Sequence, residues 1–199
     1  MATSGSVSKV SRAINTLVLW TAIALFTATF AQAAEQHQNS NENPISPVAD
    51  VSIDSSYNFK RIDERVTTSG VVGDKRLAAL KAHGYQALIN LLPDNNEYSV
   101  PDEASIVTGQ GIRYTYIPVE WSAPTRANFD AFEKAMAAEV GKTVHVHCAA
   151  NWRVSAFYGL YAERKGLWTR EQADVHMRAI WNPDEHPAWT ALIKAIRSE

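Results

Sequence analysis

Hydrophobic and polar positions along the chain follow a helical period in some segments and form short apolar runs in others. Segment 73–84, GDKRLAALKAHG, places Leu77 and Leu80 on one face of a helix. Asp74 is placed to cap the N-terminus of that helix, and Gly84 is placed to end it. The pattern therefore predicts an amphipathic helix between these two residues.

Apolar runs and further helical segments then alternate. The runs at 85–92, 112–119 and 143–147 are short and rich in aliphatic, aromatic or β-branched residues, which is typical of strands. Helical segments are predicted at 101–111 and 124–141, between those runs. Strands that are separated by helices indicate parallel crossovers. The sequence therefore predicts an α/β domain with a central, mainly parallel sheet flanked by helices.

The helices in the C-terminal half are marked by their caps and apolar faces. Phe129 and Phe132 lie on one helical face, and Thr125 is placed to open that helix. Three helical stretches follow the last predicted strand, and one begins with a capping box of Thr169 and Gln172.

The N-terminus has the three parts of a secretory signal. Lys9 and Arg12 precede an apolar run at 14–30, and the small-x-small tripeptide AQA follows at 31–33. We expect residues 1–33 to be a signal peptide, which predicts a periplasmic or secreted protein without a stable membrane anchor after cleavage. The alternative is a retained anchor, because the apolar run is near the lower length that spans a bilayer.

Composition narrows the possible functions of the remaining chain. Segment 34–50 is polar and rich in Asn and Gln, so we expect a flexible leader there. The 199-residue chain is 46% hydrophobic, which is enough for one packed domain, predicted over 51–199. The formal net charge of −2 provides no basic surface for a phosphate backbone, so no nucleic-acid partner is expected. The oligomeric state is left open.

The single cysteine, Cys148, stands directly after the last predicted strand and before a helix, in TVHVHCAANWRVSAFYGLY. Ligands of α/β sheets bind beyond the C-terminal ends of strands, where loops lead into helix N-termini. Backbone N–H groups in such a loop bind anions, and the same groups favour a thiolate nucleophile. The alternative is a buried structural cysteine.

These residues resemble a known signature loop. VHVHCAANWRVS (144–155) is similar to the motif H-C-x-x-G-x-x-R-[ST] of the cysteine-dependent protein-tyrosine and dual-specificity phosphatases. Segments 61–97 and 111–136 look like the bacterial phosphatase-like domain named after beta-lactamase hydrolase-like proteins. The resemblance covers about residues 55–165. It implies a protein-tyrosine-phosphatase-like fold and hydrolysis of a phosphomonoester through a cysteinyl-phosphate intermediate.

The resemblance also implies roles for individual residues. Cys148 matches the nucleophile, His147 the histidine that supports the thiolate, and Ser155 the hydroxyl that assists departure of the thiolate. Asn151 stands at the glycine of the motif, and asparagine tolerates positive φ best after glycine. The residues expected to cradle the phosphate are Ala149, Ala150, Asn151, Trp152 and Arg153.

The arginine departs from the motif, because Val154 occupies its position and Arg153 comes one residue early. If the loop is one residue shorter than usual, Arg153 still reaches a phosphate. If the loop keeps its usual length, Arg153 projects elsewhere. The chain is then a catalytically impaired pseudophosphatase that acts as a phosphate- or anion-binding module.

The candidate general acid is also altered. The family uses an aspartate from the loop after the preceding strand, and here that loop reads PVEWSAPT, with Glu120 as its carboxylate. The alternative is that Glu120 is only a solvent-exposed loop residue. Asp94 and Asp102, in an earlier loop, are weaker candidates.

Other chemistry has less support in the sequence. His145 and His147 share one face of a strand, but no further cysteine or histidine pair with metal-ligand spacing accompanies them, so no metal site and no cofactor are expected. A thiol-redox protein would need a second cysteine. Trp121 and Trp152 either pack as core or lid residues or stack on a ligand. The expected partner is a phosphorylated small molecule or a phosphoprotein.

Overall fold

The computed structural model describes residues 51–199, which form one sheet with flanking helices. The strands are β1 Lys60–Arg61, β2 Val66–Ser69, β3 Ala87–Asn90, β4 Arg113–Tyr116 and β5 Val144–His147. The helices are α1 Asp74–Ala79, α2 Glu103–Thr108, α3 Arg126–Ala138, α4 Trp152–Arg164, α5 Arg170–Arg178 and α6 Pro187–Arg197. The predictions of a signal peptide at 1–33 and a leader at 34–50 concern residues outside the described range.

The sheet has the strand order β1-β2-β5-β3-β4. Strands β2, β5, β3 and β4 run parallel to one another, and the edge strand β1 pairs antiparallel with β2. The central strand β5 sets His147 opposite Ser69 on one side and Asn90 on the other. The predicted α/β class with a mainly parallel sheet is confirmed.

Two hydrophobic layers cover the two faces of the sheet. Successive residues of a strand point to opposite faces. In β3, Ile89 packs with the layer that includes apolar residues of α3 to α6, whereas Leu88 packs with the layer that includes α1 and α2. Burial of both faces explains why β3 is apolar at nearly every position.

The structure corrects the predicted ends of the first helix. Gly73, with a φ of 82°, is the N-cap of α1, and Asp74 is the first helical residue, whose Oδ1 accepts a hydrogen bond from the Lys75 backbone N–H at 2.8 Å. Helix α1 ends at Ala79, and irregular turns lead to Gly84, which also has a φ of 82°. The predicted caps of α3 and α5 are confirmed, because both helices begin with complete capping boxes.

Strands β1 and β2 were missed by sequence reasoning. Thr67, Thr68 and Ser69 in β2 are buried although they are polar, so the strand lacks an apolar pattern. Hydrogen bonds to the neighbouring strand compensate for that burial, because the side chains of Thr67 and Ser69 both pair with His145. Within residues 51–199, no helix combines the length and apolar character that a membrane crossing requires.

Candidate active site

Cys148 lies directly after the central strand β5, as the sequence predicted. Its side chain is fully buried, and its backbone N–H donates to the carbonyl of Ser69 at 3.3 Å. Residues 149–151 form a short loop, and α4 begins at Trp152. The thiol therefore lies at the start of a loop that ends at the N-terminus of a 13-residue helix.

The loop presents a run of unpaired backbone donors. Among residues 51–199, no backbone N–H from Ala149 to Val154 donates a close, well-aligned hydrogen bond, although Ala150 forms an isolated antiparallel bridge with Gly70. Ser155 is the first residue of α4 whose N–H is paired, with the carbonyl of Asn151 at 2.9 Å. A buried helix terminus normally satisfies such groups with caps, water or a ligand. A run of donors at the positive end of a helix dipole is the backbone arrangement that favours anions.

The carbonyls of the same loop are held on its outer side. Ala149 O accepts from the Val71 backbone N–H at 3.0 Å, and Ala150 O accepts from Asn58 Nδ2 at 3.0 Å. Because the C=O and N–H of a trans peptide point in opposite directions, the N–H groups of Ala150 and Asn151 are directed to the inner side of the loop. Asn151 has a φ of 64°, as expected for the position of the motif's glycine.

Arg153 lies at the second position of α4 and is buried. Its Nε donates to the carbonyl of Val119 at 2.7 Å, and its Cζ lies 5.4 Å from the ring centroid of Trp121. Neither Nη1 nor Nη2 has a hydrogen-bond partner among residues 51–199. Val154, the position of the motif's arginine, has no exposed surface and belongs to the apolar core. Arg153 is therefore held against Val119 and Trp121 from the first turn of α4, while a core valine fills the position of the motif's arginine.

The loop that carries Glu120 is fixed on both sides of that residue. The carbonyl of Val119 accepts a hydrogen bond from Arg153 Nε, and the carbonyl of Trp121 accepts one from Trp189 Nε1 at 2.9 Å. Glu120 itself is exposed between these two anchors. The anchoring places the candidate acid on a segment that contacts the signature loop directly.

An aromatic cluster surrounds this contact. The half-buried rings of Trp121 and Trp152 have centroids 5.3 Å apart, and His186 lies 5.0 Å from Trp121. Trp181 and Trp189 are nearly completely buried, and their ring centroids lie 5.2 and 5.1 Å from that of Trp121. These contacts bring the start of α6 to the edge of the candidate site.

Ser155 is fully buried and is occupied by other partners. Its Oγ donates to the carbonyl of Trp152 at 3.0 Å and accepts from Trp181 Nε1 at 2.9 Å. Within the described residues it makes no hydrogen bond to Cys148. Ser155 thus connects the first turn of α4 with Trp181 through its hydroxyl group.

His147 is paired with a residue that sequence reasoning missed. Its Nε2 lies 2.8 Å from Oε1 of Glu103, and both side chains are buried. Because a carboxylate only accepts hydrogen bonds, Nε2 carries the proton of this bond. Nδ1 of His147 is buried without a partner among residues 51–199. Glu103 is far from His147 in sequence, in the first turn of α2, and no local motif marks it.

His145 has both ring nitrogens engaged. Nδ1 lies 2.8 Å from Thr67 Oγ1, and Nε2 lies 2.9 Å from Ser69 Oγ, which donates to the carbonyl of Gly70. Burial, with a smaller contribution from His147, lowers the pKa of His145 well below its ordinary value. His145 is therefore a neutral link between β2 and β5 without a free nitrogen for a metal. Among residues 51–199, no three Cys, His, Asp or Glu side chains converge on a common point.

Two bacterial proteins are similar to this chain in sequence. A beta-lactamase hydrolase-like protein of Xylella fastidiosa is 30% identical over 116 residues, covering 57% of this chain and 27% of the relative. A protein of the same description from Agrobacterium fabrum is 34% identical over 103 residues, covering 50% and 24%. This chain thus spans about a quarter of the length of these curated relatives. No protein-family model matches it.

Solved structures resemble most of the described domain. A DUF442 protein of Shewanella putrefaciens CN-32, assigned as a phosphatase, is 34% identical with a TM-score of 0.66, covering 73% of this chain and 95% of that one. TpbA of P. aeruginosa is 17% identical with a TM-score of 0.57, covering 71% and 88%, and this second likeness concerns the fold alone.

Proposed function

Because the chain belongs to the DUF442 family of protein-tyrosine-phosphatase-like proteins, we propose that it is an exported cysteine-dependent phosphatase that hydrolyses a phosphomonoester through a cysteinyl-phosphate intermediate. One observation carries this proposal: the run of unpaired N–H groups from Ala149 to Val154 begins directly after the buried thiol of Cys148. A phosphoryl group in that loop would receive hydrogen bonds on its non-bridging oxygens, while the thiolate attacks phosphorus.

The chemistry divides into two displacements. In the first, Sγ of Cys148 forms a bond to phosphorus, the ester P–O bond breaks, and Glu120 gives its proton to the leaving oxygen. In the second, the Glu120 carboxylate takes a proton from water, the water oxygen bonds to phosphorus, and the S–P bond breaks. Phosphate and the free thiolate result, so the cycle needs no metal and no redox partner.

Arg153 has a suitable set of donors for this cycle. The Nε–H bond to Val119 fixes the guanidinium beside the loop, and the two terminal nitrogens remain available for a paired contact with two phosphate oxygens. Stacking on Trp121 adds to that orientation. In this proposal Arg153 stabilises the phosphoryl group, and Trp121 and Val119 hold it in position.

The test of this function is hydrolysis of an activated aryl phosphate in the presence of a chelator. We expect turnover under these conditions, and we expect vanadate to protect Cys148 from alkylation by iodoacetamide. An inactive protein that vanadate still protects would be a pseudophosphatase that binds anions. Neither turnover nor protection would reject both functions.

The role of Glu120 predicts a dependence on the leaving group. Glu120→Gln should lower kcat by about a hundredfold for alkyl phosphates, which need a proton on the leaving oxygen, and by much less for activated aryl phosphates. Asp94→Asn, which removes an exposed carboxylate from a neighbouring loop, is the matched control and should leave both rates unchanged. The opposite pattern would assign the acid to Asp94.

The proposal also includes a cellular location and a substrate class. We propose that cleavage after Ala33 releases a periplasmic or secreted protein, which N-terminal sequencing of the native protein would test. An N-terminus at Met1 or Ala2 would contradict export. The substrate class is a phosphorylated small molecule or a phosphoprotein.

A further inference from the structure

A segment before β1 lies directly against the outer side of the signature loop. We name residues 52–59 the strap. Asn58 Nδ2 in the strap donates to the carbonyl of Ala150 at 3.0 Å, and Asn151 Nδ2 in the loop donates to the carbonyl of Asn58 at 2.7 Å. The same Nδ2 also donates to Thr68 Oγ1 at 3.0 Å. Each asparagine thus donates a side-chain hydrogen bond to a backbone carbonyl of the other segment, Asn58 to Ala150 and Asn151 to Asn58, although the two segments are far apart in sequence.

Both asparagines adopt the left-handed backbone conformation. Their φ angles are 49° for Asn58 and 64° for Asn151, and among residues 51–199 only Asp102 shares a positive φ without being glycine. A left-handed backbone is unfavourable for residues with a Cβ, although asparagine tolerates it better than most. At Asn151, a glycine would adopt this backbone more easily but would lose the bonds to Asn58 and Thr68.

Gly70, directly after β2, lies between the strap and the loop, and no space is left there for a side chain. A Cβ added at Gly70 would lie 2.6 Å from the carbonyl oxygen of Ala149 and 3.0 Å from the Tyr57 ring. The N–H of Gly70 also donates to the carbonyl of Tyr57 at 2.6 Å. Gly70 is therefore a point where three backbone segments meet, and a shift of the strap would be transmitted to the loop.

We propose that Asn58 and Asn151 are positioning residues that form a reciprocal amide clamp and thereby orient the anion-binding loop. The bond from Asn58 holds the carbonyl of Ala150 outward, which directs the N–H of Asn151 to the inner side of the loop. The side chain of Asn151 completes the clamp, which a glycine in the family motif cannot do. The strap is then part of the phosphate site, and this inference rests on the proposed function.

The clamp predicts matched effects for two substitutions. Asn151→Gly keeps the positive φ and removes the side chain, and Asn58→Ala removes the donor to Ala150. Asn58→Ala removes one neutral hydrogen bond and Asn151→Gly removes two, so each should weaken vanadate protection of Cys148 by about tenfold. The double variant should be little weaker than either single one, because both substitutions break the same unit.

A second readout does not depend on any ligand. Without vanadate, alkylation of the buried Cys148 should be about tenfold faster in either clamp variant, because the loop above the thiol is less constrained. Melting temperatures are recorded so that rates are compared where every variant is folded. Asn95→Ala, at an exposed asparagine outside the strap and loop, is the control and should match the wild type.

The two readouts separate the clamp from the phosphatase proposal. If vanadate fails to protect the wild type, the proposed function fails, and the ligand-free alkylation rates still test the clamp. Asn151→Gly and Asn58→Ala proteins that both remain within about twofold of the wild type in alkylation rate would overturn the clamp, as would additive effects in the double variant.

Discussion

Replacing Cys148 by serine is expected to abolish turnover of an aryl phosphate, with a loss of roughly 10⁴-fold or more in kcat. A hydroxyl at this position is far less ionised than a thiol, and a serine phosphoester would not be released as readily as a thioester of phosphate. The donors from Ala149 to Val154 are backbone groups, so the substitution leaves the anion site intact. Hydrolysis is followed by absorbance, and vanadate binding by the fluorescence of Trp121 and Trp152, which lie beside the loop.

Cys148→Ala is the matched control for this prediction. It removes the nucleophile without introducing a hydroxyl and should be equally inactive while still binding vanadate. Wild-type turnover in either variant would mean that the reaction occurs elsewhere on the protein.

Replacing Arg153 by alanine is expected to lower both kcat/KM and vanadate affinity by at least about a hundredfold. A paired arginine–phosphate contact consists of two charge-assisted hydrogen bonds, each contributing about 1.5–3 kcal/mol. Arg153→Lys keeps the positive charge but loses the planar pair of donors, so it should recover only part of the lost activity. Rates and vanadate titrations on the purified variants give the two quantities directly.

Arg153 also has a structural role, and the controls must separate it from catalysis. The side chain bonds Val119 and stacks on Trp121, so the alanine variant should also melt at a lower temperature. Arg178→Ala removes a half-exposed arginine that pairs with Asp184 on the surface and should leave activity unchanged. An Arg153→Ala protein with wild-type kcat/KM at a temperature where it is folded would support the alternative, in which this arginine does not contact the phosphate.

Local patterns predicted the elements whose stability is largely local. The apolar faces and caps of α3 and α5 could be identified because Thr125 and Thr169 each lie three residues before their capping partner. The apolar run of β3 could be identified because both faces of the sheet are buried. The position of Cys148 followed from the rule that sites lie at the C-terminal ends of strands.

Other features depend on partners that are distant in sequence. Strand β2 is polar, and its burial depends on hydrogen bonds to His145, so no apolar pattern marks it. Glu103 and Asn58 reach the site only after the chain has folded, from α2 and from the strap. The orientation of Arg153 depends on where α4 begins. Because the helix starts at Trp152, Arg153 points toward Val119, and the following residue, Val154, lies in the core.

The most direct measurement of the central claim is to trap the phosphorylated enzyme. The wild-type protein is mixed with an aryl phosphate that is radiolabelled on phosphorus, quenched with acid during turnover and digested for mass spectrometry. The proposed mechanism predicts a phosphoryl group on the sulfur of Cys148 and no label in Cys148→Ala, which has no nucleophile at this position. Active turnover with no label on Cys148, or with the label on another residue, would contradict it.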